Sequence, residues 1–299
     1  MASGTESLGI STLGAAGIEA INDADVAGFF PQFKTHTHFV NRWGKTVVPT
    51  QPIDPYSTEL VQLSVKLPPA AGNVWTELNS TRINADYTFQ KEVADPKGGT
   101  KWQSVCKADK AVVVSNISSC YFKDIACALN QVQTATNNHN LITGQIRTKF
   151  SSLQKSESTI GPLCGLYDDT NDPDSVASNA GRDLRVAYWC DDTSSDTPKV
   201  KKTTALLDFC LKNQSFPIPP NVEILITLTA NDNKHLVHVW DPIEQAKNVV
   251  FRVKLLRLEL EFFRIETSQA YIDKAFAMMK RQPQGKQYFS YIFMREEVR

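Results

Sequence analysis

The strongest pattern in the chain runs from Phe216 to Ile265, where a proline turn, a short alternating run and a long alternating run follow one another. Val222, Ile224, Ile226 and Leu228 fall at every second position, which puts them on one face of a strand. From Phe251 the apolar residues Phe251, Val253 and Leu255 alternate with Arg252 and Lys254. At Leu255–Leu256 the phase slips by one residue. Alternation then resumes as Leu258, Leu260 and Phe262 against Arg257, Glu259 and Glu261. A single slip inside a continuous run predicts a β-bulge. A strand of about 15 residues exceeds the usual 5–6 and needs a wide sheet or a bend between two sheets.

The same period recurs upstream. Thr58–Leu67 places Val61, Leu63, Val65 and Leu67 on one face, and Pro68-Pro69 stops it. Thr81–Phe89 turns Ile83, Ala85, Tyr87 and Phe89 inward, and Ala111–Phe122 reads as a third strand. Ile125, Leu129 and Val132 fall at helical spacing, which predicts a short helix over Lys123–Gln133. Residues 134–150 fit helix or strand. Residues 151–203 form a long polar excursion in which Leu184–Trp189 reads as one short apolar strand, and Ala205–Lys212 is a further apolar run. Near the start, Gly14–Val26 predicts a weak amphipathic helix ended by Gly28. Near the end, Ser268–Arg281 predicts a helix capped by Ser268 or Thr267. The last run, "KQYFSYIFMREEVR", carries Tyr288, Ser290, Ile292 and Met294 on one face and Phe289, Tyr291 and Phe293 on the other. A terminal strand that is apolar on both faces needs cover on both sides.

At least eight strand-like runs with Pro-rich turns, and no alternation of strands with long helices, predict a mainly β fold. The expected architecture is an antiparallel jelly-roll β-sandwich with a few short helices and long loop insertions. Its expected division is an extended N-terminal arm at 1–57, a jelly roll at 58–265 that includes the polar insertion 151–203, and a C-terminal helix and strand at 266–299.

Composition narrows the function. The 299 residues carry 32 basic and 32 acidic side chains, so the chain as a whole lacks the basic footprint of a nucleic-acid binder. No run approaches 18 apolar residues, and the N-terminus lacks a basic region before an apolar core. The six cysteines are scattered without a C-x-x-C pair, and read as buried free thiols in a reducing compartment.

Candidate chemistry is thin. G-x-S-x-G, H-E-x-x-H, a Walker loop and G-x-G-x-x-G are all missing from the sequence. His36 and His38 share one side of an extended strand, and His235 and His238 stand three apart, so these four could build a cupin-like metal site in a jelly roll. Cys127 or Cys210 with His139 could form a nucleophile pair, although both cysteines sit in apolar runs. Asp168, Asp169, Asp172 and Asp174 offer oxygens for calcium but lack the EF-hand register. Trp75, Trp102, Trp189 and Trp240 could line a carbohydrate groove, yet single tryptophans on separate elements are more often core or interface anchors. No residue is assigned a catalytic or metal-binding role, no cofactor is expected, and the chain reads as a non-enzyme.

Three blocks, in order, carry a resemblance. "WTELNSTRINADYTFQK" (75–91) resembles the early strand pair of the capsid proteins of Polinton/Maverick-type elements and their adintovirus relatives. "FCLKNQSFPIPPNVEILITLTAND" (209–232) is similar to that family's Pro-Pro block followed by an alternating strand. The stretch from Val249 to Arg299 is similar to the next block, a long strand, a Ser-led helix and a further strand. Proteins of that lineage carry two fused jelly rolls, and the resemblance covers only the first. It implies a single jelly-roll member such as a vertex or minor capsid protein, a protein whose second half is encoded separately, or a truncated or domesticated copy. It further implies a structural protein that self-assembles into an icosahedral shell or capsomer, as a homo-oligomer and with other capsid proteins. Such a protein would bind no specific nucleic acid, carry no membrane span, and reside in the virion after synthesis in the host cytoplasm or nucleus. The apolar tail residues Tyr288, Phe289, Tyr291, Ile292, Phe293 and Met294 are the expected oligomer interface. A lectin-like or receptor-binding β-sandwich, with 151–203 as its contact surface, is the alternative. A metal-dependent jelly-roll enzyme is a third.

Overall fold

The computed structural model describes residues 10–14, 17–21, 39–51, 53, 62–137, 167, 169–170, 177–206, 217–270 and 272–273. Ile10–Gly14 (β1) and Gly17–Ile21 (β2) pair as an antiparallel hairpin. This replaces the start of the helix expected over Gly14–Val26.

Among the other described residues two sheets dominate. Their strands are β3 (Phe39–Val47), β4 (Gln62–Leu67), β5 (Val74–Ala94), β8 (Phe122–Leu129), β9 (Val132–Asn137), β10 (Lys201–Leu206), β11 (Ile224–Ala230) and β13 (Phe251–Thr267). Sheet I runs β10–β5–β13–β3, with β6 (Thr100–Ser104) pairing to the far end of β5. Sheet II runs β4–β11–β8–β9. A small ribbon joins β7 (Ala111–Val113) to β12 (Val237–Val239).

The order of pairing defines the topology. Among the eight sandwich strands, the first pairs with the last (β3 with β13) and the second with the seventh (β4 with β11). The third pairs with the sixth (β5 with β10), and the fourth with the fifth (β8 with β9). All four pairs are antiparallel, as though one long hairpin had been rolled around a barrel. Two further pairings, β5 with β13 and β8 with β11, close the rolled ribbon into two sheets. This is the eight-stranded jelly roll expected from the sequence.

The inner faces follow the period of two. Leu63, Val65 and Leu67 meet Ile224, Ile226 and Leu228 from the neighbouring strand, and Ile125, Cys127 and Leu129 complete that layer. Ile83, Ala85, Tyr87 and Phe89 lie beside Val253, Leu255, Leu258, Leu260 and Phe262 in the facing layer. Burying each large apolar side chain contributes roughly 1.5–3 kcal/mol. The bulge stands where the pattern put it, with the register against β5 jumping from Leu255 to Arg257. Beside it, Tyr121 makes a hydrogen bond with the Leu255 backbone, and burial pushes its phenol up to about 12.

Three local expectations are corrected. Lys123–Gln133 is not a helix. Ile125, Cys127 and Leu129 point inward at period two, and Ala126 and Ala128 between them are too small to oppose either reading. Asn130 and Gln131, both at positive φ, then form a two-residue turn into β9. Ala111–Phe122 is not one strand, because Asn116 at φ 58 breaks it and the short helix α1 (Ile117–Cys120) precedes β8. Leu184–Trp189 is not a strand but the end of helix α2 (Ala180–Trp189). Its buried face is Gly181, Arg182, Arg185 and Trp189, so two arginines stand where a hydrophobic stripe was sought, and Leu184 is exposed. Asn179 caps the helix by accepting from the Arg182 amide at 3.2 Å. Downstream, Gln269 opens a helical turn in which the Ile272 amide reaches the Ser268 carbonyl at 3.2 Å; the rest of the helix expected over Ser268–Arg281 lies outside the described residues.

Candidate assembly surface

The predicted interface residues Tyr288, Phe289, Tyr291, Ile292, Phe293 and Met294 lie outside the described residues. The described surface is therefore read from its sheet edges and outer faces.

An edge strand exposes a row of backbone donors and acceptors unless something covers it. The four edges of this sandwich are treated differently. At β10, the Tyr188 hydroxyl donates to the Lys202 carbonyl at 2.6 Å, and Ser118 of α1 donates to the Thr203 hydroxyl at 2.6 Å. Burial raises the Tyr188 phenol, against the lowering effect of its bond at Lys202. At β4, both the amide (2.8 Å) and the hydroxyl (3.0 Å) of Thr50 donate to the Ser64 carbonyl. At β9, pairing to β8 occupies one side. At β3, β13 is the only paired strand among the described residues. This strand is exposed from Val40 to Thr46, with Trp43 37% and Val40 66% accessible. It is anchored on its outer face, where the Arg42 guanidinium lies 3.8 Å from the Phe263 ring and its Nε pairs with Glu77 at 2.7 Å. Gly44 fits beneath Glu261, whose Oε1 would lie 3.2 Å from an added Cβ.

The outer faces differ as well. On sheet I, charged residues oppose one another across the strands: Arg82 faces Glu261, and Asp86 lies between Lys202 and Arg257. Arg252 stacks on Trp102 at 3.7 Å and bonds Gln90. On sheet II, Ser64, Leu225, Thr227, Thr229, Ala126 and Ala128 occupy the outward positions and are half-buried. Lys66 at the margin pairs with Glu223 at 2.8 Å.

The other candidates from the sequence disperse. His36, His38, His139, Cys210, Asp168, Asp172 and Asp174 lie outside the described residues. His235 is exposed on a short 3-10 turn, and His238 is half-buried on β12. Cys127 is a core residue of sheet II, and Asp169 pairs with Arg185 at 2.7 Å. Trp75 and Trp189 are buried, and Trp240 lies under the Arg182 guanidinium at 4.7 Å, so the tryptophans serve as packing anchors. Reasoning from the sequence missed β3, which lies within the stretch read as an extended arm. Its "FVNRWGKTV" is β-prone but lacks alternation, because neither of its faces is fully buried.

No family model matches the chain, and no curated protein matches it. The fold defines a jelly-roll protein, and among solved structures the chain is similar to a chain of the Sputnik virophage. That likeness has a TM-score of 0.54 at 9% identity and covers 78% of this chain and 49% of that one. It is also similar to the mavirus major capsid protein (TM-score 0.45, 10% identity, 75% of this chain and 46% of that one). A third is the Faustovirus major capsid protein (TM-score 0.43, 8% identity, 81% of this chain and 56% of that one). At these identities the likeness is one of fold, and the Sputnik match carries it. The chain spans about half the length of the solved chains it matches.

Proposed function

We propose that this protein is a structural capsid protein of a virus or virus-derived element of the Polinton type, which self-assembles into a capsomer or icosahedral shell in the virion. The observation that carries this reading is the complete jelly-roll pairing of first strand with last, second with seventh, third with sixth and fourth with fifth. The fold likeness to the Sputnik chain supports it.

Electron microscopy of the concentrated protein tests the reading. Rings, capsomers or closed shells are expected, and monodisperse monomers at every concentration overturn it. Residues 287–298 supply a contact between copies in this reading. Mass photometry of the full chain against one ending at Gln284 is expected to show smaller species after truncation. An unchanged distribution removes the tail from the assembly.

A further inference from the structure

We infer that the edge of β3, which has one paired side among the described residues, accepts residues 287–298 of a second copy of this chain as an added strand. The inference rests on the assembly reading above and names the surface that the tail would meet.

Three observations meet here. First, the sandwich closes two of its four edges, through Tyr188 at Lys202 and Thr50 at Ser64; among the described residues β9 and β3 each keep one paired side, and β3 is exposed from Val40 to Thr46. A nine-residue edge with an exposed tryptophan is a pairing surface unless charges or bulges disarm it, and of the two charges on β3, Arg42 is tied to Phe263 and Glu77, which leaves Lys45 alone. The register of β3 against β13 slips only at its start, where Val40 is skipped between Phe39 and Asn41. Asn41–Val47 therefore offers an unbroken ladder.

Second, both faces of that ladder carry apolar surface. Val47 packs against the core, and Trp43 shares its side of the strand. On the opposite side, Phe263 lies beside Gly44 in register and beneath Arg42. An incoming strand would thus find apolar contacts above and below the sheet plane.

Third, the chain holds one segment with that same two-sided character. Tyr288, Ile292 and Met294 alternate with Phe289, Tyr291 and Phe293, so whichever face turns toward Trp43, the other can reach Phe263. Strand addition of this kind takes its affinity from main-chain hydrogen bonds and its specificity from alternate side chains.

The test compares three full-length or near-full-length proteins by size-exclusion chromatography and mass photometry over a concentration series. They are the parent, the double variant Val40→Lys with Trp43→Lys, and the chain ending at Gln284. Lysines on an edge disfavour strand addition, and both sites are exposed, so the sandwich itself should survive. The single variant Val40→Lys and a circular-dichroism melt guard against a folding defect. The expected result is that the double variant and the truncated chain both need at least a tenfold higher concentration than the parent to assemble. If the double variant assembles like the parent while truncation abolishes assembly, the tail acts at another surface and this inference falls, leaving the assembly reading intact. If the β3 variant fails to assemble and truncation has no effect, β3 has a different partner and the inference also falls. A parent that stays monomeric overturns both readings.

Discussion

β10 and β3 are the two outer strands of the same sheet, yet the chain treats them in opposite ways. Along β10 it spends side chains on closure. Thr203 is buried and bonded to Ser118, the Lys202 carbonyl takes the Tyr188 hydroxyl, and α2 carries Tyr188 into place. Along β3 the side chains hold the strand to β13, through Arg42 on Phe263 and Glu77, and no second strand pairs with its outer edge among the described residues. The first arrangement makes an edge that only its own fold can use. The second makes an edge whose geometry is fixed while its backbone groups stay available. Perturbing the closed edge should therefore cost stability, and perturbing the open edge should cost little stability but change association.

The largest effect is expected at Arg185, which seats the helix that closes β10. Its guanidinium is buried, pairs with Asp169 at 2.7 Å and also bonds the Tyr167 carbonyl. Breaking a buried pair costs about 3–5 kcal/mol, and Asp169 is partly exposed, so Arg185→Ala should fall near 3 kcal/mol in chemical denaturation. A loss below about 0.5 kcal/mol, the range of ordinary surface substitutions, would mean that α2 is not held by this pair.

Alkaline pH should act at the same end of the molecule. Burial is the main cause that pushes the Cys190 thiol, at the C-terminal cap of α2, up to about 12, and its Sγ lies 3.3 Å from the Ala111 carbonyl. An unfolded cysteine titrates near 8.5. The folded state thus keeps a proton that the unfolded state has lost. This contribution to stability is fully present below about pH 8.5 and is lost as pH rises through about 12. Denaturation midpoints measured from pH 8 upward should decline for the parent and decline less steeply for Cys190→Ala. Parallel curves would place the alkaline sensitivity elsewhere.

Two smaller effects divide the closure of β10 into its bonds. Ser118→Ala strands a buried Thr203 hydroxyl and should cost about 1–3 kcal/mol. Tyr188→Phe removes one half-exposed bond to Lys202 and should cost about 0.5–1.5 kcal/mol. If the tyrosine change were the costlier of the two, the edge would be held by α2 rather than by α1.

Much of this architecture was legible because a period of two survives wherever one face is dry. Leu63, Val65 and Leu67, the run from Ile224 to Leu228, and the slip at Leu255–Leu256 each appear in the sandwich as the alternation placed them. The pattern failed where burial was not hydrophobic or the surface was not polar. Arg182 and Arg185 bury themselves by pairing and stacking, so α2 shows no apolar stripe. Ala126 and Ala128 fit a helix as readily as a strand, so the hairpin at Asn130–Gln131 was hidden in a helical spacing. β3 was hidden for a reason closer to function, because an edge strand wetted on both sides has no dry face to write into the sequence.

The smallest stability effect belongs to β3 itself. Arg42 is half-exposed, so its contact with the Phe263 ring and its pair with Glu77 are both screened by solvent. Cation–π contacts at exposed sites contribute about 0.5–1 kcal/mol, and exposed ion pairs about the same or less. Arg42→Ala should therefore shift the denaturation midpoint by under about 1 kcal/mol, a fraction of the expected cost of Arg185→Ala. Its second consequence separates the two edges. Arg42 presses the start of β3 against β13, so its loss should free that end of the strand and speed amide exchange over Asn41–Gly44. The amides of Lys201–Leu206 on β10, held from the other side by Tyr188 and Ser118, should keep their rates. Equal acceleration at both edges would show that sheet I opens as one unit, and the contrast between a closed and an open edge would then lose its physical basis.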